Sequence, residues 1–141
     1  MLKYTELAVT FAEFPDEIAV CLNISNCPCH CTRCSEPWLR HDIGTPLTPE
    51  ILEAILLSHS DCTLLGLMGG DSDHAEVRRI ADFVHAHPGW KVGMYSGLDA
   101  LDLELAQCLD CYKIGRWIAP EGDVSTWLTQ TCGPLAFPCT N

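Results

Sequence analysis

The chain of 141 residues carries 19 acidic and 8 basic side chains, a formal charge of −11, with 48% hydrophobic and 19% charged residues. That balance suits one domain, residues 1–141, with a core of its own, and argues against disorder. The acid excess argues against a nucleic-acid partner and against an anionic membrane surface, because both are met by clustered Lys and Arg. Met1-Leu2-Lys3-Tyr4-Thr5-Glu6 lacks the features of a signal peptide, and no run approaches the ~18 consecutive apolar residues of a membrane span, so the cytoplasm is the expected compartment.

In chain order, the β-rich run from Ile18 to Ile24 reads as a first strand. Thr48 and Pro49 then open a helix with Leu52, Ile55 and Leu56 as its apolar stripe. The nearly continuous apolar run Cys62–Met68 predicts a strand buried on both faces, ended by Gly69-Gly70-Asp71. Ser72 or Asp73 starts a second helix carrying Val77, Ile80, Ala81 and Val84, closed by Pro88-Gly89. Trp90–Tyr95 is a third strand ending at Ser96-Gly97, Asp99–Cys108 a third helix, and Cys111–Ile114 a fourth strand. Beyond Gly115 the periodicity fades into an irregular tail. The alternation predicts an α/β fold with a parallel sheet and right-handed crossovers. Ligands of such sheets sit beyond the carboxyl ends of the strands. Three unusual loops fall there: a cysteine loop, the Gly69-Gly70-Asp71 turn and Ser96-Gly97.

Ten cysteines are many for this length. A disulfide framework is the reading for a small secreted protein, but the length, the absent leader and the clustering speak against it. Cys27, Cys29, Cys31 and Cys34 crowd into one window, Asn26-Cys27-Pro28-Cys29-His30-Cys31-Thr32-Arg33-Cys34. Zinc usually takes two separated ligand pairs, and Cys108-x-x-Cys111 is the nearest second pair. Cys27, Cys31 and Cys34, spaced C-x3-C-x2-C, suit an iron–sulfur cluster instead. Three thiolates on a four-iron cluster leave one iron open to a ligand. The spacing gives Cys29 no role. Cys21, Cys62 and Cys108 read as small buried hydrophobes. His30 is a weaker candidate ligand, while His41, His59, His74, His85 and His87 read as solvated. Trp38 and Trp117 read either as caps of the core edge or as partner contacts.

The cysteine spacing after a first strand, with Gly69-Gly70-Asp71 after the next, resembles the radical S-adenosylmethionine superfamily. Asn23–Pro28, Pro37-Trp38-Leu39, Gly44–Thr48, Met68–Asp71, Tyr95-Ser96-Gly97, Tyr112–Gly115 and Thr140-Asn141 extend the resemblance to the activating proteins of anaerobic (class III) ribonucleoside-triphosphate reductases. The resemblance implies a partial (incomplete) parallel β/α barrel. It implies a [4Fe-4S] cluster on Cys27, Cys31 and Cys34, and S-adenosyl-L-methionine against Arg33, Ser35, Gly69, Gly70, Asp71 and Ser96. The implied oxidoreductase cleaves that cofactor to a 5′-deoxyadenosyl radical, with a flavodoxin-like electron donor. It leaves a glycyl radical on the large subunit of the anaerobic ribonucleotide reductase. Arg33 stands where many members carry an aromatic residue, and a guanidinium can stack in its place. Asp71 stands where many carry Glu; it either orients the methionyl amino group or caps the following helix. Similar chains usually run a few residues past a closing Thr-Asn, which implies truncation at Asn141. Two other readings stay open: an activase of a formate-lyase-type glycyl radical enzyme, and a non-catalytic zinc- or cluster-binding module.

Overall fold

A computed structural model describes residues 1–31, 34 and 36–115. The expectations for Arg33, Ser35, Trp117, the tail and Thr140-Asn141 lie outside the described residues. Six strands form one mixed sheet: β1 (Lys3–Thr10), β2 (Ala19–Ile24), β3 (Thr45–Pro46), β4 (Leu64–Met68), β5 (Lys91–Ser96) and β6 (Cys111–Ile114). Their order is β3-β1-β2-β4-β5-β6. β2, β4, β5 and β6 run parallel, while β1 is antiparallel to both β2 and β3. The helices are α1 (Pro49–Ser58), α2 (His74–His85) and α3 (Leu103–Cys108), with a short 3-10 helix at Pro37–Arg40.

Each expected α/β element is present, with local chemistry at its ends. The Thr48 hydroxyl accepts from the Ile51 amide and caps α1, with Pro49 in its first turn. Asp73 caps α2 by accepting from the Glu76 amide, and Asp102 caps α3 by accepting from Leu105. α3 therefore begins four residues later than Asp99, because the capping carboxylate that the backbone uses is Asp102.

The N-terminal strand is a correction to the purely parallel sheet. Lys3–Thr10 alternates imperfectly, and a register shift between Tyr4 and Glu6 interrupts its pairing with β2. Period-two patterning is blurred by such a shift.

The two faces of the sheet differ. Val20, Leu22, Ile24, Leu65, Leu67, Val92 and Met94 point to one face and bury against Leu52, Ile55 and Leu56 of α1, Val77, Ile80 and Val84 of α2, and Leu105 of α3. Burial of each such side chain contributes roughly 1.5–3 kcal/mol. The opposite face carries no helix among the described residues. There Phe14, fully buried, lies over the sheet with Ala19, Cys21, Leu64 and Cys111. Its ring occupies slots left by two mid-strand glycines: a Cβ on Gly66 or Gly93 would stand 2.6 or 2.5 Å from it. Tyr95 meets the ring edge-on at 5.2 Å.

Two packing predictions follow from these contacts. Gly93→Ala forces the Phe14 ring to move and should cost about 1–3 kcal/mol in urea unfolding; Phe14→Leu in the same chain should recover part of that loss. Unchanged stability of Gly93→Ala would show that Phe14 does not sit in the slot. At the other end of the molecule His87 ties α2 to α1, its Nε2 lying 2.6 Å from Glu53 Oε2. The Phe83 carbonyl and then the Glu53 carboxylate raise the His87 pKa above its ordinary value of 6.5. A base with a raised folded pKa stabilises fully below its unfolded pKa, and that contribution fades as pH rises through the folded value. Glu53→Gln should therefore lower the melting temperature below about pH 6 and leave it unchanged above about pH 9. An equal loss at both ends would contradict the pairing.

Candidate functional site

The three loops identified in the sequence lie at the carboxyl ends of neighbouring parallel strands: the cysteine loop after β2, the glycine turn after β4 and Ser96-Gly97 at the end of β5. The structure joins them through one side chain, Asp71, which is 2% exposed. Its Oδ1 accepts from Ser96 Oγ at 2.7 Å and lies 3.1 Å from His74 Nε2. Its Oδ2 accepts from the Gly97 amide at 2.9 Å and from Cys29 Sγ at 3.5 Å. Four groups, from the cysteine loop, the Ser96-Gly97 turn and the first turn of α2, thus converge on the carboxylate of the third loop. The helix cap is Asp73, so Asp71 is not the cap.

The glycines before Asp71 are fixed by backbone and packing together. Gly69 and Gly70 have φ of +118° and +114°, where a side chain is strained. A Cβ on Gly70 would stand 2.9 Å from Val77 Cγ2, so α2 packs directly on this turn. Ser96 is buried; its hydroxyl donates to Asp71 and accepts from the Leu98 amide, which fixes the turn after β5.

The cysteine loop is anchored at its stem. Asn26, in a left-handed conformation with φ +60°, donates its amide to the His41 carbonyl, and the Cys27 amide donates to Leu39. Arg40 donates to the Cys31 carbonyl at 3.0 Å, and the Cys34 amide donates to the same carbonyl at 3.3 Å. Cys27 and Cys34 are half-buried and Cys31 is buried; all are free thiols. In donor chemistry three free thiols in one anchored loop fit an iron–sulfur cluster. Among the described residues, no three His, Cys, Asp or Glu side chains are gathered as a ready metal site.

Cys29 differs from the other three in reaching Asp71, while its thiol also lies against Cys27. It is buried, and its sulfur would lie 2.5 Å from a Cβ on Gly97, so the thiol rests directly on the Ser96-Gly97 turn. Burial first, then Cys27 and Asp71, pushes its pKa up to about 12. A protonated thiol can donate to Asp71, whereas a thiolate would repel it. Burial likewise pushes Cys21 up to about 12, in keeping with a small core hydrophobe. Cys62 is buried as expected, while Cys108 is partly exposed and donates to the Glu104 carbonyl.

The sequence reading missed His74 as a member of this site. It stands between Asp71 and Asp102, whose Oδ2 lies 3.7 Å from Nδ1, and is not a solvated histidine. Its position three residues after Asp71, on the first turn of α2, is the signal that could have found it. His30 and His41 line a groove of about 640 Å3 with Pro37, Trp38 and Arg40. Trp38 is 46% exposed in that groove and caps no core. The chain matches no family model, no curated protein and no solved structure.

The two neighbouring aspartates should respond oppositely to the same change. Asp71→Asn presents an amide N–H2 to donors and should cost about 1–3 kcal/mol of stability. Asp73→Asn should be near neutral, because Asn caps a helix as well as Asp. Chemical denaturation of both variants checks the pair, and equal losses would remove Asp71 from its joining role.

Proposed function

We propose that the chain is an iron–sulfur activase that reductively cleaves S-adenosyl-L-methionine and generates a glycyl radical on an anaerobic ribonucleoside-triphosphate reductase. The observation that carries this reading is the convergence of a three-thiol loop, a glycine turn and a serine turn on one buried carboxylate at the carboxyl edge of a parallel sheet. The order β2-β4-β5-β6, with the helices packed on one face, supports an incomplete β/α barrel of the radical S-adenosylmethionine type. Cys27, Cys31 and Cys34 would hold a [4Fe-4S] cluster. When bound, that cluster supplies the electron that breaks the sulfonium–C5′ bond, with a flavodoxin-like protein as donor.

The chain's own residues have separate tasks in this reading. Gly69 and Gly70 keep the turn free of side chains at the pocket edge. Ser96 and the backbone around Gly97 present polar groups to the cofactor's methionyl end. Asp71, with both oxygens engaged, sets the distance between these loops and acts on the cofactor through them. Arg33 and Ser35, in the same loop as the thiols, would border the nucleoside. The helix-free face admits a protein segment bearing the target glycine. The cytoplasm is the proposed compartment; among the described residues no helix is long and apolar enough to cross a membrane.

Anaerobic reconstitution tests the reading. Wild-type protein should take up about four irons and, once reduced, release 5′-deoxyadenosine from S-adenosylmethionine. Cys27→Ala, Cys31→Ala and Cys34→Ala should each lose the cluster. Cys29→Ala should retain iron, because its thiol is committed to Asp71 and Gly97. Colourless protein with one tightly bound zinc would favour the non-catalytic module. Cleavage without activation of the reductase, but with activation of a formate-lyase-type enzyme, would favour the other activase.

A further inference from the structure

Cys27 and Cys29 form a pair of thiols whose chemistry does not depend on iron. Cα atoms two residues apart lie no more than about 7 Å from one another, within the reach of a disulfide. The segment Asn26-Cys27-Pro28-Cys29-His30 is bent at both ends, where Asn26 and His30 have φ of +60° and +45°. Its two thiols meet: Cys29 lies against Cys27 as well as against Asp71. Both sides of the pair are anchored. The Cys27 amide donates to the Leu39 carbonyl, and Cys29 Sγ rests on Gly97 and donates to Asp71 Oδ2 at 3.5 Å. Both thiols are free, Cys27 half-buried and Cys29 buried, so a dissolved reagent reaches Cys27 first.

We propose that Cys27 and Cys29 are a reversible redox site, closed to a disulfide by exchange with a small-molecule disulfide such as oxidised glutathione. The Cys27 sulfur attacks one sulfur of the oxidant, whose S–S bond breaks, and the departing thiolate takes up the proton that Cys27 has lost. The Cys29 sulfur then attacks the Cys27 sulfur, the mixed disulfide breaks, and the Cys29 proton goes to the second departing thiolate. Two protein thiols are thus oxidised by two electrons, and the small disulfide is reduced to two thiols. The ring closed across Pro28, whose φ is fixed, is small, so the bond is strained and easily reduced. Asp71 acts in the same direction. A disulfide sulfur has no proton to donate, so closure takes one donor from a carboxylate that is 2% exposed. The reduced pair is therefore the resting state, and the closed form belongs to oxidising conditions. This labile bond is unlike a framework disulfide, against which the clustering speaks. While it is closed, Cys27 offers no thiolate to a metal.

Differential alkylation of the full chain, freed of metal by a chelator, tests this separately from the functional reading. The chain is equilibrated anaerobically with mixtures of reduced and oxidised glutathione, and its free thiols are blocked with iodoacetamide. Disulfides are then reduced, the released thiols are tagged with N-ethylmaleimide, and fragment masses place the tags. In excess oxidised glutathione the wild type should carry tags on Cys27 and Cys29 together, with Cys31 and Cys34 blocked. Excess reduced glutathione should abolish both tags. Cys31→Ser should keep the tagged pair, whereas Cys29→Ser should retain one glutathione on Cys27, seen in the intact mass. Circular dichroism confirms the fold, and the wild-type pattern decides alone if Cys29→Ser does not fold. An untagged wild type, Cys27 tagged with Cys31 or Cys34 in place of Cys29, or a pair that reduced glutathione does not reopen would each overturn the proposal.

Discussion

The Asp71 carboxylate is the constraint on which the rest of the site depends. Three strands deliver three loops to one edge of the sheet, but strand pairing alone fixes only where each loop starts. Asp71 fixes how they end up relative to one another, because it is almost completely buried and accepts from Ser96, Gly97 and Cys29 while touching His74. A buried carboxylate without partners would be costly, so the four contacts are mutually enforcing. The hydrophobic packing of Val77 on Gly70 clamps the same turn from the helix side. Together these hold the glycine turn, and the cysteine loop meets it through the Cys29–Asp71 contact.

This arrangement gives four neighbouring cysteines two different jobs. Cys29 is held down on Gly97 as a protonated thiol, and its position registers the loop. Cys27, Cys31 and Cys34 remain free thiols in a loop whose stem is pinned by Leu39, Arg40 and His41. The loop is thus tethered at its stem and at Cys29, whose thiol also lies against Cys27. On the face that bears no α-helix among the described residues, Phe14 closes the sheet locally.

Much of this was legible in the sequence, and the gaps have physical causes. The parallel core strands are continuous apolar runs, and the caps Thr48 and Asp73 stand where the helix chemistry requires them. The loops of the site were legible because glycine pairs and clustered thiols have few other uses. β1 was not, because its register shift breaks the alternation that marks a strand. The role of Phe14 was hidden because its partners, Gly66 and Gly93, are far away in sequence and contribute only empty space. Asp71 stood between two readings because orientation decides between capping and joining, and spacing does not encode orientation. Cys29 had no role by spacing since its partner lies 42 residues away.

The most direct measurement is electron paramagnetic resonance of the anaerobically reconstituted, reduced protein, before and after S-adenosylmethionine is added. If one iron of a cluster on Cys27, Cys31 and Cys34 is open and faces the glycine turn, the reduced signal must change shape and g-values when the cofactor binds. A reduced cluster whose signal is identical with and without the cofactor would contradict the account.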